Sequence, residues 1–127
     1  MPLVRIAFMK GKPATFGPQA GDIVHRAMVD TMKVPADDRF QVITEHGKAD
    51  LPYDRAYLGV ERTDGLMVIQ VTLNEGRTLE AKQAFYAAVA EGLLRELGVR
   101  KEDVLINLVE VKKENWSFGN GQAQYAK

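Results

Sequence analysis

The residue placed to do the least ordinary chemistry is a proline at position 2, directly after Met1. Initiator methionine is generally removed before a small residue such as proline, and its loss would leave Pro2 as a secondary amine at the chain end. An α-amino group is one of the few groups besides histidine that titrates near neutrality. An apolar pocket or a neighbouring guanidinium disfavours the charged form of an amine. Such a nitrogen can then work as a general base near pH 7. Taken alone, Met1-Pro2 is far more often an ordinary chain start.

Other familiar chemistries find no support. The 127 residues include no cysteine, which excludes disulfides, thiolate nucleophiles and cysteine zinc sites. Ser117 is the one serine, so no nucleophile elbow exists. His25 and His46 lie far apart without clustered acidic residues, so no metal is expected. Gly11-Lys12-Pro13 and Gly119-Asn120-Gly121 have neither Walker nor dinucleotide spacing, and no cofactor is implied. Lys+Arg and Asp+Glu both number 17, a balance that removes the footprint of a general nucleic-acid binder. No apolar run reaches the roughly 18 residues of a membrane span, and no secretory signal is visible. The expectation is a cytoplasmic protein with neither nucleic acid nor membrane as partner.

The elements that would position these residues follow from periodicity. Leu3 to Phe8 reads as a strand and Lys10 to Gly17 as a loop. Ile23, Val24, Ala27, Met28 and Met32 make one apolar face of a helix over Gln19 to Met32, with Pro18 in its first turn. Val34-Pro35 ends that helix, and Arg39 to Glu45 is a second strand. Leu66 to Leu73 is a third strand, followed by a turn over Asn74-Glu75-Gly76-Arg77. Thr78 caps a second helix that Gly98 terminates, and Val104 to Val111 is a fourth strand.

The halves align at a constant offset: Gly11 with Gly76, Val24 with Val89, Val34 with Val99, Asp38 with Asp103 and Glu45 with Glu110, each 65 residues apart. The matching order of elements predicts two tandem β-α-β units in one α+β domain over residues 1–127. The units span about 2–45 and 66–111, with a connection over 46–65 and a tail from 112 to 127. Both helices are expected on one face of the sheet. Tyr57 to Glu61 is expected to add a short hairpin strand.

Four segments together resemble the tautomerase superfamily, in its malonate semialdehyde decarboxylase-like branch. They are Met1-Pro2-Leu3-Val4, Val34 through Gln41, Gly76-Arg77-Thr78 with Lys82, and Asn115 through Gly121. The resemblance implies two β-α-β units per subunit, a homotrimer, and a catalytic amino-terminal proline matched by Pro2. Asp38 matches an aspartate that assists the proline and positions a water. Arg77 matches an arginine that binds the substrate carboxylate, a task that suits a planar guanidinium fork. Trp116 matches an aromatic near the pocket. Without the resemblance, Asp38 reads as a loop carboxylate pairing with Arg39, and Trp116 as a packing anchor. His25 reads as a satisfied, partly buried histidine, and Arg39 and Arg62 as structural or solvated.

One departure narrows the reading. Where the decarboxylase pattern carries a second arginine, this chain has Asn74-Glu75-Gly76. A single arginine still holds a monocarboxylate, and Glu75 would repel an anion if it faced the pocket. The expected activity is keto–enol tautomerisation of small 2-oxo or 3-oxo carboxylates. The alternatives are a related decarboxylase and a binding module that kept the fold without the chemistry.

Overall fold

The computed structural model describes residues 2–126. Strand β1 (Leu3–Met9), helix α1 (Phe16–Met32), β2 (Phe40–His46), β3 (Met67–Asn74), α2 (Leu79–Leu97) and β4 (Val104–Val111) follow one another along the chain. The side-chain period of two puts Val4, Ile6 and Phe8 of β1 on one face with Met67, Ile69, Val71 and Leu73 of β3, all buried. Ile23, Val24, Ala27 and Met28 of α1, and Phe85, Val89 and Leu93 of α2, close onto that face in a single cluster. Both helices therefore cover one side of the sheet. The α+β fold of two β-α-β units is as the sequence predicts.

Strand order is β2-β1-β3-β4. β1 pairs with β2, and β3 with β4, in parallel, as helical crossovers require. The units join along an antiparallel seam between β1 and β3, in which Arg5 faces Gln70. Arg5 and Gln70 are also counterparts in the 65-residue repeat, so an approximate two-fold axis passes between them. The repeat extends to backbone detail. Gly11 and Gly76 have φ of 115° and 119°, and the helix C-caps Lys33 and Gly98 are both left-handed at 56° and 68°. Short 3-10 turns at Lys48–Asp50 and Lys113–Asn115 are also counterparts.

The expected boundaries shift where packing intervenes. α1 begins at Phe16 rather than Gln19, because the Phe16 ring packs edge-on against Phe8 at 4.9 Å. Tyr57 to Glu61 is not a hairpin strand. Tyr57–Gly59 is a 3-10 turn with Leu58 at φ 59°. Arg62 Nη1 donates to the carbonyl oxygens of Asp54, Tyr57 and Val60, which withdraws them from any sheet ladder. Arg62 is thus structural, as expected. Farther along the connection, buried Asp103 accepts from the Thr63 N–H at 2.7 Å and from its hydroxyl. Among the described residues, no helix is long and apolar enough to cross a membrane.

Candidate active site

Topology brings distant residues to one end of the sheet. β1 and β2 begin at the end where the antiparallel β3 and β4 finish. Pro2, Asp38 just ahead of β2, the Asn74–Arg77 turn after β3 and Trp116 after β4 gather there. A cavity of about 250 Å³ is lined by Pro2, Leu3, Phe40, Trp116, Ser117 and Phe118. Pro2 is buried. The wall is aromatic. The Trp116 and Phe118 rings stack at 5.3 Å with 10° between planes, and Tyr125 meets Phe118 edge-on at 5.2 Å. Met1, whose removal the proline chemistry needs, lies outside the described residues.

Arg77 is half-buried and held by main-chain oxygens. Its Nε donates to the Met32 carbonyl and its Nη1 to the Asn74 carbonyl, both at 3.3 Å. Among the described residues no carboxylate comes within ion-pair distance of it, whereas Arg26, Arg39, Arg55, Arg95 and Arg100 each have an acidic partner. A guanidinium fixed by neutral acceptors keeps its charge for an incoming anion. Glu75 is exposed and does not line the cavity. The nearer acid is Glu110, whose hydrogen bond from Lys82 at 2.7 Å holds its carboxyl below the usual carboxylate range. Partial burial opposes this, and the Gly76 N–H and the Arg77 charge reinforce it.

Asn74, a turn residue by sequence, instead ends β3 and is 5% exposed. Its Oδ1 accepts from Trp116 Nε1 at 2.8 Å. Leaving such a buried amide unpaired would cost about 1–3 kcal/mol. A signal was available: a polar residue continuing an apolar strand run without a break, ahead of a lone tryptophan that needs an acceptor for its indole N–H.

Asp38 is half-buried, and its N–H donates to the Pro35 carbonyl at 3.0 Å. The pairing of Arg39 goes elsewhere than to Asp38. Its Nη2 donates to Asp22 at 2.8 Å and to Gln41 at 3.1 Å, because the start of β2 turns the Arg39 side chain toward α1. His25 Nε2 donates to the Ala36 carbonyl at 2.8 Å, the satisfied histidine the sequence suggested, and ties α1 to the segment carrying Asp38. Of the four expected site residues, Pro2 and Trp116 line the cavity. Arg77 is linked to it through Asn74, and Asp38 stands two residues before Phe40.

Known proteins resemble this chain in sequence and fold. The family model described as "Tautomerase enzyme" matches residues 38–119. The probable tautomerase YusQ of Bacillus subtilis (strain 168) is 45% identical over 124 residues, 98% of each chain. The probable tautomerase YrdN of the same strain is 35% identical, over 98% of this chain and 96% of its own. A crystal structure of a malonate semialdehyde decarboxylase inhibited by 3-bromopropiolate superposes with a TM-score of 0.89 at 38% identity, covering 97% of this chain and 93% of that one. A fused 4-OT, solved as a symmetric trimer, gives 0.79 at 23% identity over 98% of each chain, a likeness of fold. With the family match spanning Asp38, Arg77 and Trp116, and the whole-length relatives carrying the remainder, the chain belongs to the tautomerase family.

Proposed function

We propose that this tautomerase-type enzyme interconverts the enol and keto forms of small 2-oxo monocarboxylates, with Pro2 as its general base once Met1 is removed. The observation that carries the reading is the Arg77 guanidinium, fixed by two carbonyls, without a carboxylate partner among the described residues, at the end of the sheet where Pro2 lines a cavity. Arg77 takes the substrate carboxylate, so proximity supplies part of the acceleration. The neutral Pro2 nitrogen accepts the enol hydroxyl proton and returns a proton to the adjacent carbon, leaving the ketone. Trp116 flanks the substrate. Asp38 assists Pro2: its counterpart in the repeat, Asp103, accepts from Thr63 just ahead of β3, so a carboxylate in this place reaches toward the start of the adjoining strand.

A decarboxylase reading has its own support in the likeness to malonate semialdehyde decarboxylases, one of them described with both decarboxylase and hydratase activities. In that chemistry a protonated Pro2 hydrogen-bonds a β-carbonyl while Arg77 orients the carboxylate lost as CO₂. The same reading makes the enzyme a cytoplasmic homotrimer. Phe40, Val42, Leu105 and Val109 stand exposed on the sheet face that the helices leave open, the face available to other subunits.

Turnover of phenylenolpyruvate by the wild type and by Pro2→Ala is the test, with intact mass establishing whether Met1 is gone. A chain lacking Met1 and a fall of about a hundredfold or more in Pro2→Ala are expected. Unchanged activity in Pro2→Ala would overturn both chemistries. The pH–rate profiles with an enol and with a 3-oxo acid separate them, because one needs the neutral amine and the other its protonated form.

A further inference from the structure

Within the site just proposed, and resting on that reading, we infer that Asn74 is a positioning residue that locks the carboxylate-binding arginine to the aromatic wall. One residue holds both parts. Its main-chain carbonyl accepts from Arg77 Nη1 at 3.3 Å, and its side-chain Oδ1 accepts from Trp116 Nε1 at 2.8 Å. Trp116 in turn stacks on Phe118, and both line the cavity beside Pro2. A shift at Asn74 therefore moves the anion site and the wall together.

The duplication within the chain shows that the fold does not require this polar clamp. The counterparts of Asn74 and Trp116 at the other end of the sheet are Met9 and Leu51, 65 residues earlier in each case. Both are apolar, Met9 is buried, and the two line one pocket. The backbone is otherwise alike. Leu51 N–H donates to the Lys48 carbonyl and Trp116 N–H to the Lys113 carbonyl, each at 3.4 Å. Lys10 N–H donates to His46 at 2.9 Å and Glu75 N–H to Val111 at 3.0 Å. An apolar pair closes the corner at one end, and a buried amide with an indole closes it at the other. The amide is an uncharged acceptor, so it fixes the indole without neutralising Arg77.

The experiment compares Asn74→Met, Trp116→Leu, the double variant and Asn74→Asp with the wild type. Turnover of phenylenolpyruvate and binding of the unreactive carboxylate 3-phenylpropanoate are both measured. Trp116 is the only tryptophan, so its emission and its indole proton resonance report on this clamp alone. Asn74→Met should stay folded, because it copies the opposite end, and should lose about tenfold in kcat/KM, mainly through KM, with red-shifted emission. The double variant should lose no more than the worse single variant, since both break one interaction. Asn74→Asp should restore the indole signal yet bind the anion weakly, because it adds a negative charge on the residue whose carbonyl holds Arg77. A folded Asn74→Met with unchanged KM and unchanged 3-phenylpropanoate affinity would overturn the inference, as would losses that simply add in the double variant. Wild-type protein that binds 3-phenylpropanoate without turning over the enol would overturn the catalytic reading alone, and affinity would then judge the clamp. Wild-type protein that does neither would overturn both.

Discussion

The end of the sheet that holds Pro2 and the opposite end are related by the 65-residue repeat, so each residue at one end has a counterpart at the other. A second cavity, of about 220 Å³, lies at that other end, lined in part by Leu51, Pro52, Tyr53, Val68 and Leu105. These are the counterparts of Trp116, Ser117, Phe118, Leu3 and Phe40, which line the first. The backbone thus builds a hollow twice. The residues of the proposed chemistry stand at the first of them, because a handful of side chains differ. The counterpart of Pro2 is Met67, the first residue of β3, whose nitrogen is a peptide amide. The counterpart of Arg77 is Lys12, whose ammonium lies over the Phe16 ring at 5.2 Å instead of on main-chain carbonyls. Tyr57 and Arg62 of the connection line the second cavity, whereas Pro2 lines the first.

Paired substitutions put this comparison at risk. The largest difference is expected between Arg77→Lys and Lys12→Ala. The first should lower kcat/KM by about a hundredfold, near 2.7 kcal/mol, because an ammonium cannot reproduce the fork. The second should leave turnover within about twofold, and equal losses would erase the distinction between the ends. Gly76→Ala and Gly11→Ala come next. Neither β-carbon would meet a neighbour within 4 Å, so each costs only its positive φ, of order 1–3 kcal/mol by denaturant titration. Stability should fall alike in both, while KM should rise only in Gly76→Ala, which displaces the adjoining Arg77. The smallest pair is Thr78→Ala against Thr15→Ala. Thr78 accepts from the Ala81 N–H at 3.1 Å and should cost about 1 kcal/mol when removed. Thr15 makes no such cap bond, and its loss should stay within about 0.5 kcal/mol in the same denaturant titrations.

Much of the fold was legible because its signals are local. The 3.6 and 2 periodicities, the Thr78 cap and the Gly98 stop act within a turn or a strand, and α2 and β4 lie where those signals place them. Phe16 was misplaced because its helical state depends on Phe8, a partner from another element. The 3-10 turn at Tyr57 escaped notice for a related reason: alternating side chains cannot reveal that Arg62 will occupy the carbonyls a strand would need. At the site, Pro2, Arg77 and Trp116 drew attention through residue type, position and resemblance. Asn74 drew none, since its role comes from a tryptophan 42 residues later and from a burial that the local sequence does not show. The bond from Arg39 to Asp22 likewise depends on α1 lying beside β2.

The antiparallel seam between β1 and β3 has a consequence for what evolution can change independently. Its register is symmetric about Arg5 and Gln70, the arrangement two identical half-length chains would adopt if they met along the same strand. In such a pair every substitution occurs at both ends, so a residue that sharpens one pocket is imposed on the other. Joining the halves through the connection lifts that coupling. Met9 and Asn74, or Lys12 and Arg77, are free to part company, and one pocket can specialise while its twin serves as scaffold.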